Sequence, residues 1–104
     1  IRYAVMEVGG DMKQMMTMLT QLTRDPSKPT LAVLGTRAEG GKLIVASTEN
    51  SIAAERHNAV EVLNAIAGHI DGGGGGRPTM AQGGGTNAEG IPAALDAARS
   101  YLGL

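Results

Sequence analysis

The stretch "TLAVLGTRAEGGKLIVAST", Thr30 to Thr48, decides the fold. Two almost wholly apolar runs, Thr30–Thr36 and Lys42–Thr48, flank the short polar segment "RAEGG". Apolar runs of strand length joined by a glycine-containing turn predict a β-hairpin. A strand with one wet face alternates apolar and polar residues. These two do not, so helices are expected to cover the sheet on at least one face.

Upstream, "IRYAVMEV" (Ile1–Val8) reads as a first strand, broken by Gly9-Gly10. Asp11 can then cap a helix, with Gln14 as its reciprocal capping-box partner. Met12, Met15, Met16, Leu19 and Leu22 recur at helical spacing and form one apolar face. "DPSKP", Asp25–Pro29, must end that helix. Downstream, Asn58 and Glu61 repeat the capping pattern, and Val60, Leu63, Ile66, Ala67 and Ile70 follow as a second amphipathic helix. Glu49–His57, between the hairpin and this helix, admits a helical turn. "AEGIPAALDAARSYLGL" gives a last helix, with Ile91, Leu95, Ala98 and Leu102 on one face and Pro92 in its first turn. The order strand, helix, strand, strand, helix, glycine-rich loop, helix predicts an α/β (α+β) class: a small mixed β-sheet with helices packed on it.

Composition narrows function by exclusion. At 104 residues, with 42% hydrophobic and 18% charged, the chain reads as one globular domain, residues 1–104. It has no Phe or Trp and only two Tyr, so the core must be aliphatic, with six Met as adaptable filler. Cys is absent, which removes disulfides and thiolate metal sites and suits a reducing, cytoplasmic setting. Its apolar runs fall far short of the ~18 residues of a membrane span, so no membrane partner is expected. A formal net charge of −1 lacks the basic excess of a free-standing nucleic-acid binder, so contact with RNA would need a local patch. The chain opens in strand-like sequence without an initiator Met, as expected of a piece of a longer protein. His57 and His69 lie twelve apart, without the spacing that puts two imidazoles on one helix face. His57 reads as a surface residue near a helix start, and His69 as a last-turn residue facing the helix dipole. No Ser sits in a G-x-S-x-G elbow. No catalytic residues and no metal ligands are assigned.

One stretch remains, "HIDGGGGGRPTMAQGGG", His69–Gly85, with eight glycines in seventeen residues. A P-loop, G-x-x-x-x-G-K-S/T, fails because Arg77 stands where its second glycine belongs and no Lys-Ser or Lys-Thr follows. A dinucleotide fingerprint also meets Arg77 at its third glycine, and this run follows a helix instead of a strand. A plain flexible linker would not be interrupted by "RPTMAQ". Pro78 stiffens the chain beside Arg77, whose guanidinium can meet phosphate bidentately. Met80 reads as packing inward, and Gln82 either satisfies loop backbone or joins a binding surface.

At these residues "GGGGGRPTMAQGGG" closely resembles the glycine-rich signature at the C-terminus of alanyl-tRNA synthetases, in the DHH-associated domain shared with some phosphoesterases. The hairpin and the closing "GIPAALDAARSYL" agree, and the resemblance spans essentially the whole chain. The phosphoesterases resemble G-G-G-H-x-x-A-A-G here; Arg77 and "MAQ" favour the synthetases. Thr79 and Gly83 depart from the usual acidic residue and Ala. The resemblance implies a C-terminal fragment of an alanine–tRNA ligase, binding alanine-specific tRNA at the outer corner of the L to couple aminoacylation with editing. It implies no cofactor in this chain, and ATP, Mg and Zn in the parent. It also implies a homodimer in some members, through this domain or the preceding helical segment. A free-standing alanyl-tRNA editing hydrolase and an oligomerisation module are the alternatives. The RNA-binding candidates are Gly72, Gly73, Gly74, Gly75, Gly76, Arg77 and Gln82, with Lys42 and Arg37 beside the hairpin as secondary ones.

Overall fold

In the computed structural model, which describes residues 1–25 and 27–104, the two apolar runs form strands β2 (Thr30–Thr36) and β3 (Lys42–Ser47). They pair antiparallel, Leu31 opposite Ser47 and Thr36 opposite Lys42. The first strand, β1 (Arg2–Glu7), runs parallel to β2, and helix α1 (Met12–Thr23) connects them. Helices α2 (Ile52–Arg56) and α3 (Ala59–Ile66) follow β3. Next come strands β4 (Gly73–Arg77) and β5 (Met80–Gly84), and helix α4 (Ile91–Leu102) closes the chain. The sheet order is β1-β2-β3-β5-β4, and only the β1–β2 pair is parallel.

Strand alternation sends the side chains of β2 and β3 into two separate cores. Leu31, Val33, Leu43 and Val45 pack with Val62, Leu63 and Ile66 of α3 and Ile91, Leu95 and Ala98 of α4. Ala32, Leu34, Ile44 and Ala46 pack on the other face with Met15 and Leu19 of α1. Helices therefore cover the centre of the sheet on both faces, which explains why its two strands are apolar without interruption. The expected mixed α/β class holds.

The helix starts follow the sequence signals. Asp11 accepts from the Gln14 amide at 3.0 Å, and the Gln14 side chain accepts from the Asp11 amide at 3.0 Å, a complete capping box. Asn58 accepts from the amides of Val60 and Glu61 to cap α3, but among the described residues the Glu61 side chain does not return the bond, so only half of the expected box forms. Pro92 lies in the first turn of α4, and Gly103 ends that helix in the left-handed region, φ 78°. Pro26, within the segment expected to end α1, lies outside the described residues; the helix stops at Thr23. The ambiguous Glu49–His57 segment contains α2. No helix among the described residues is long and apolar enough to cross a membrane.

One expectation needs correction. The glycine-rich segment between the last two long helices is not a loop: Gly73–Arg77 and Met80–Gly84 pair as a hairpin, and β5 extends the sheet from β3. Glycine has poor strand propensity, so the pairing comes from the rest of the fold. The Pro78-Thr79 tip is held by two neighbours. The Ala59 amide donates to the Pro78 carbonyl at 2.8 Å, and the Ser47 amide to the Thr79 carbonyl at 3.0 Å.

Candidate nucleic-acid interface

The register sorts the hairpin into two faces. Gly74 lies opposite Gly83 and Gly76 opposite Ala81, whose side chain is buried in the core beneath α3. Gly73, Gly75 and Arg77 pair with Gly84, Gln82 and Met80 and therefore share the opposite face. On β3, Lys42, Ile44 and Ala46 pair with Gly84, Gln82 and Met80 and lie on that face too. Helix α1 and Met80 close its inner part; β4 is exposed from Gly73 to Arg77.

The five consecutive glycines divide by what a side chain would meet. A Cβ on Gly74 would lie 2.1 Å from the Gln82 carbonyl oxygen, and one on Gly72 2.2 Å from that of Gly84. Gly76, at φ 157°, would put a Cβ 2.3 Å from the Met80 carbonyl oxygen. The fold itself needs glycine at these positions. At Gly73 and Gly75 a Cβ would meet nothing within 4 Å. The fold tolerates a side chain there, and the sequence carries none.

The result is a bare strip of peptide backbone bounded by polar groups. Exposed Gln82 faces outward from β5, exposed Arg77 ends β4, and half-buried Lys42 starts β3. The Lys42 chain lies across Gly84, where a Cβ would come 2.6 Å from Nζ. Four residues separate the Lys42 and Arg77 ends along β5, roughly 13 Å, and two strand spacings give about 10 Å across. Such a strip is flat, uncharged at its centre and cationic at both ends. It can accept a planar ring system against the backbone while guanidinium and ammonium meet phosphates.

Of the sequence candidates, Gly73, Gly75, Arg77, Gln82 and Lys42 come together on this face. Gly72, Gly74 and Gly76 shape it from the other side. Arg37 does not join it: its Nε sits 3.0 Å from Glu7 of β1, at the far side of the sheet. Sequence reasoning missed Arg24, the C-cap residue of α1, which lines one cleft with Arg77. No local pattern marked it, because the end of α1 and the hairpin tip are far apart in the sequence and come together only in the fold.

The two histidines lie elsewhere. His57 is half-buried and shares a 3.0 Å hydrogen bond with the Tyr3 hydroxyl, so it is less of a surface residue than its position at a helix start suggested. Burial holds its pKa below the usual imidazole value, and the Arg56 charge adds to that. His69 is exposed in the 3-10 turn Ala67–Ile70. Among the described residues no three His, Asp or Glu converge to hold a metal ion, and the sequence has no Cys, so this donor set does not fit zinc.

The chain is similar to known proteins. The family model described as the DHHA1 domain matches residues 1–104. An alanine–tRNA ligase of Methanothrix thermoacetophila is 40% identical over 84 residues, which takes in 81% of this chain and 9% of that protein. The crystal structure of the C-Ala domain from Aquifex aeolicus alanyl-tRNA synthetase superposes with a TM-score of 0.75 at 24% identity. That superposition covers 97% of this chain and 88% of the other, and it establishes a common fold.

Proposed function

The chain belongs to the DHHA1 domain family, and from that premise we propose that it is the tRNA-binding C-terminal domain of an alanine–tRNA ligase, without catalytic residues of its own. One observation carries the reading. Gly73 and Gly75 keep a strand face bare although a side chain would meet nothing within 4 Å. A protein that needed only the fold would gain from alanine there, through a less flexible unfolded chain. What uses the space is therefore a partner. The tertiary base pairs at the outer corner of tRNA present a flat, largely apolar surface, and such a surface matches a backbone strip flanked by Arg77 and Lys42.

The charge supports the same division of labour. At net −1 the chain binds RNA weakly alone; tethering to other tRNA-binding domains raises its effective concentration. By holding the corner of one tRNA it keeps that molecule available to the aminoacylation and editing centres in turn. ATP and Mg serve the first centre and Zn the second, both in other domains of a cytoplasmic parent enzyme.

The deciding experiment substitutes Gly75→Ala and measures both melting temperature and binding to the cognate tRNA. The fold should be retained or gain up to ~1 kcal/mol, while tRNA affinity drops about tenfold as the Cβ lifts the RNA off the strip. A Gly75→Ala chain that binds normally would refute the platform. A tRNA with a disrupted corner should bind the wild-type chain less tightly than the intact one; equal binding argues against corner recognition.

A further inference from the structure

A cleft of ≈ 320 Å³ opens beside the hairpin tip, between the end of α1, the turn after β3 and Arg77. Its two cations, Arg24 and Arg77, come from different elements, and neither takes part in an ion pair among the described residues. Three of its other hydroxyls and the Glu49 carboxylate offer acceptors, while Ser47 and Asn50 can also donate. The Thr20 and Thr23 hydroxyls donate to the Met16 and Leu19 carbonyls, both at 2.9 Å, which leaves their lone pairs for the cleft. Thr79 likewise donates its hydroxyl proton to Glu49 at 3.3 Å.

This distribution selects a ligand with two kinds of end. Arg24 and Arg77 call for an anion that accepts bidentately. The threonine oxygens and the Glu49 carboxylate call for a hydroxyl donor, and Glu49 repels a bare anion placed against it. Inorganic phosphate carries its anionic oxygens and its P–OH donor on one small centre and cannot present them as two separate ends. A ribose phosphate meets both demands: its non-bridging oxygens face the arginines and its 2′-hydroxyl faces the acceptors. We infer that this cleft holds one ribose-phosphate unit of the RNA backbone, next to the bases on the glycine strip, and distinguishes RNA from DNA through that hydroxyl. The inference rests on the RNA-binding reading above and adds a second contact to it. Arg77 is the shared residue, and its position at the tip lets one RNA strand pass from strip to cleft.

Two measurements on the whole chain test it. Titration with adenosine 5′-monophosphate, followed by amide NMR shifts, should move Thr20, Thr23 and Thr79, and the 2′-deoxy nucleotide should bind several-fold more weakly. Equal response to the two nucleotides, or none at these amides, overturns the assignment. Binding to a tRNA transcript across a salt series should weaken about five- to tenfold for Arg24→Gln, with the log–log salt slope flatter by about 0.7–0.9. If Gly75→Ala weakens tRNA binding while Arg24→Gln leaves affinity and slope unchanged, the cleft assignment falls and the platform stands. If neither substitution has an effect, both fall.

Discussion

The centre of the sheet and its glycine edge use the same backbone pairing for opposite ends. β2 and β3 fill both faces with aliphatic side chains, and Leu31, Val33, Leu43, Ile44 and Val45 have no exposed surface. β4 and β5 fill one face through Ala81 and leave the outer part of the other empty. Stability is concentrated where both faces are closed, because each buried aliphatic group adds its transfer energy and its close contacts. Recognition becomes available where a strand is held in place by its neighbours and not by its own side chains. A strand face made of backbone must borrow its rigidity from the rest of the sheet.

Substitutions can break that contrast or sharpen it. The largest effect belongs to the centre: Ile44→Ala removes a fully buried side chain packed against α1 and should cost about 2–5 kcal/mol by denaturant unfolding. A loss below ~1 kcal/mol would mean that the sheet centre is not the main store of stability. Next comes Gly74→Ala, whose Cβ collides with the Gln82 carbonyl and should cost about 1–3 kcal/mol. Its neighbour Gly75→Ala should cost nothing, so the pair separates glycines the fold requires from those it does not; equal losses at both would erase that distinction. The smallest effect corrects a flaw in the centre. Ser47 Oγ is buried with no hydrogen-bond partner among the described residues. Ser47→Ala should therefore raise stability by ~1 kcal/mol or less, measured by thermal melting, and a clear loss would show that the hydroxyl has a stabilising role after all.

The same contrast governs what the sequence disclosed. Side chains write the pattern that periodicity reads, so the apolar faces of β2, β3, α1, α3 and α4 and the Asp11 and Asn58 caps were legible residue by residue. β4 has almost no side chains to write with. Its turn, Pro78-Thr79, is also not the Asn-Gly or Asp-Gly signal of a two-residue hairpin. Only the partners that hold it, β3 and α3, make it a strand. Arg77 and Gln82 could be singled out because they interrupt the glycines. Lys42 reaches the same face through β3–β5 pairing, which local sequence cannot show, whereas Arg37, equally near the hairpin, is turned away by Glu7.

The way the Pro78-Thr79 tip is anchored also bears on the order of events during folding. β2 and β3 are neighbours in the chain and carry their own apolar incentive to meet, so they can form early. The glycine hairpin has little to bury by itself, and its anchor points at Ser47 and Ala59 exist only once β3 and the start of α3 are in place. The strip is thus expected to assemble after the sheet centre and to open before it, with amide exchange of Gly73–Arg77 faster than that of Leu31–Thr36 as the check. On the proposed reading, competence to bind RNA would then arrive only with the completed fold, and a half-folded chain would lack the strip altogether.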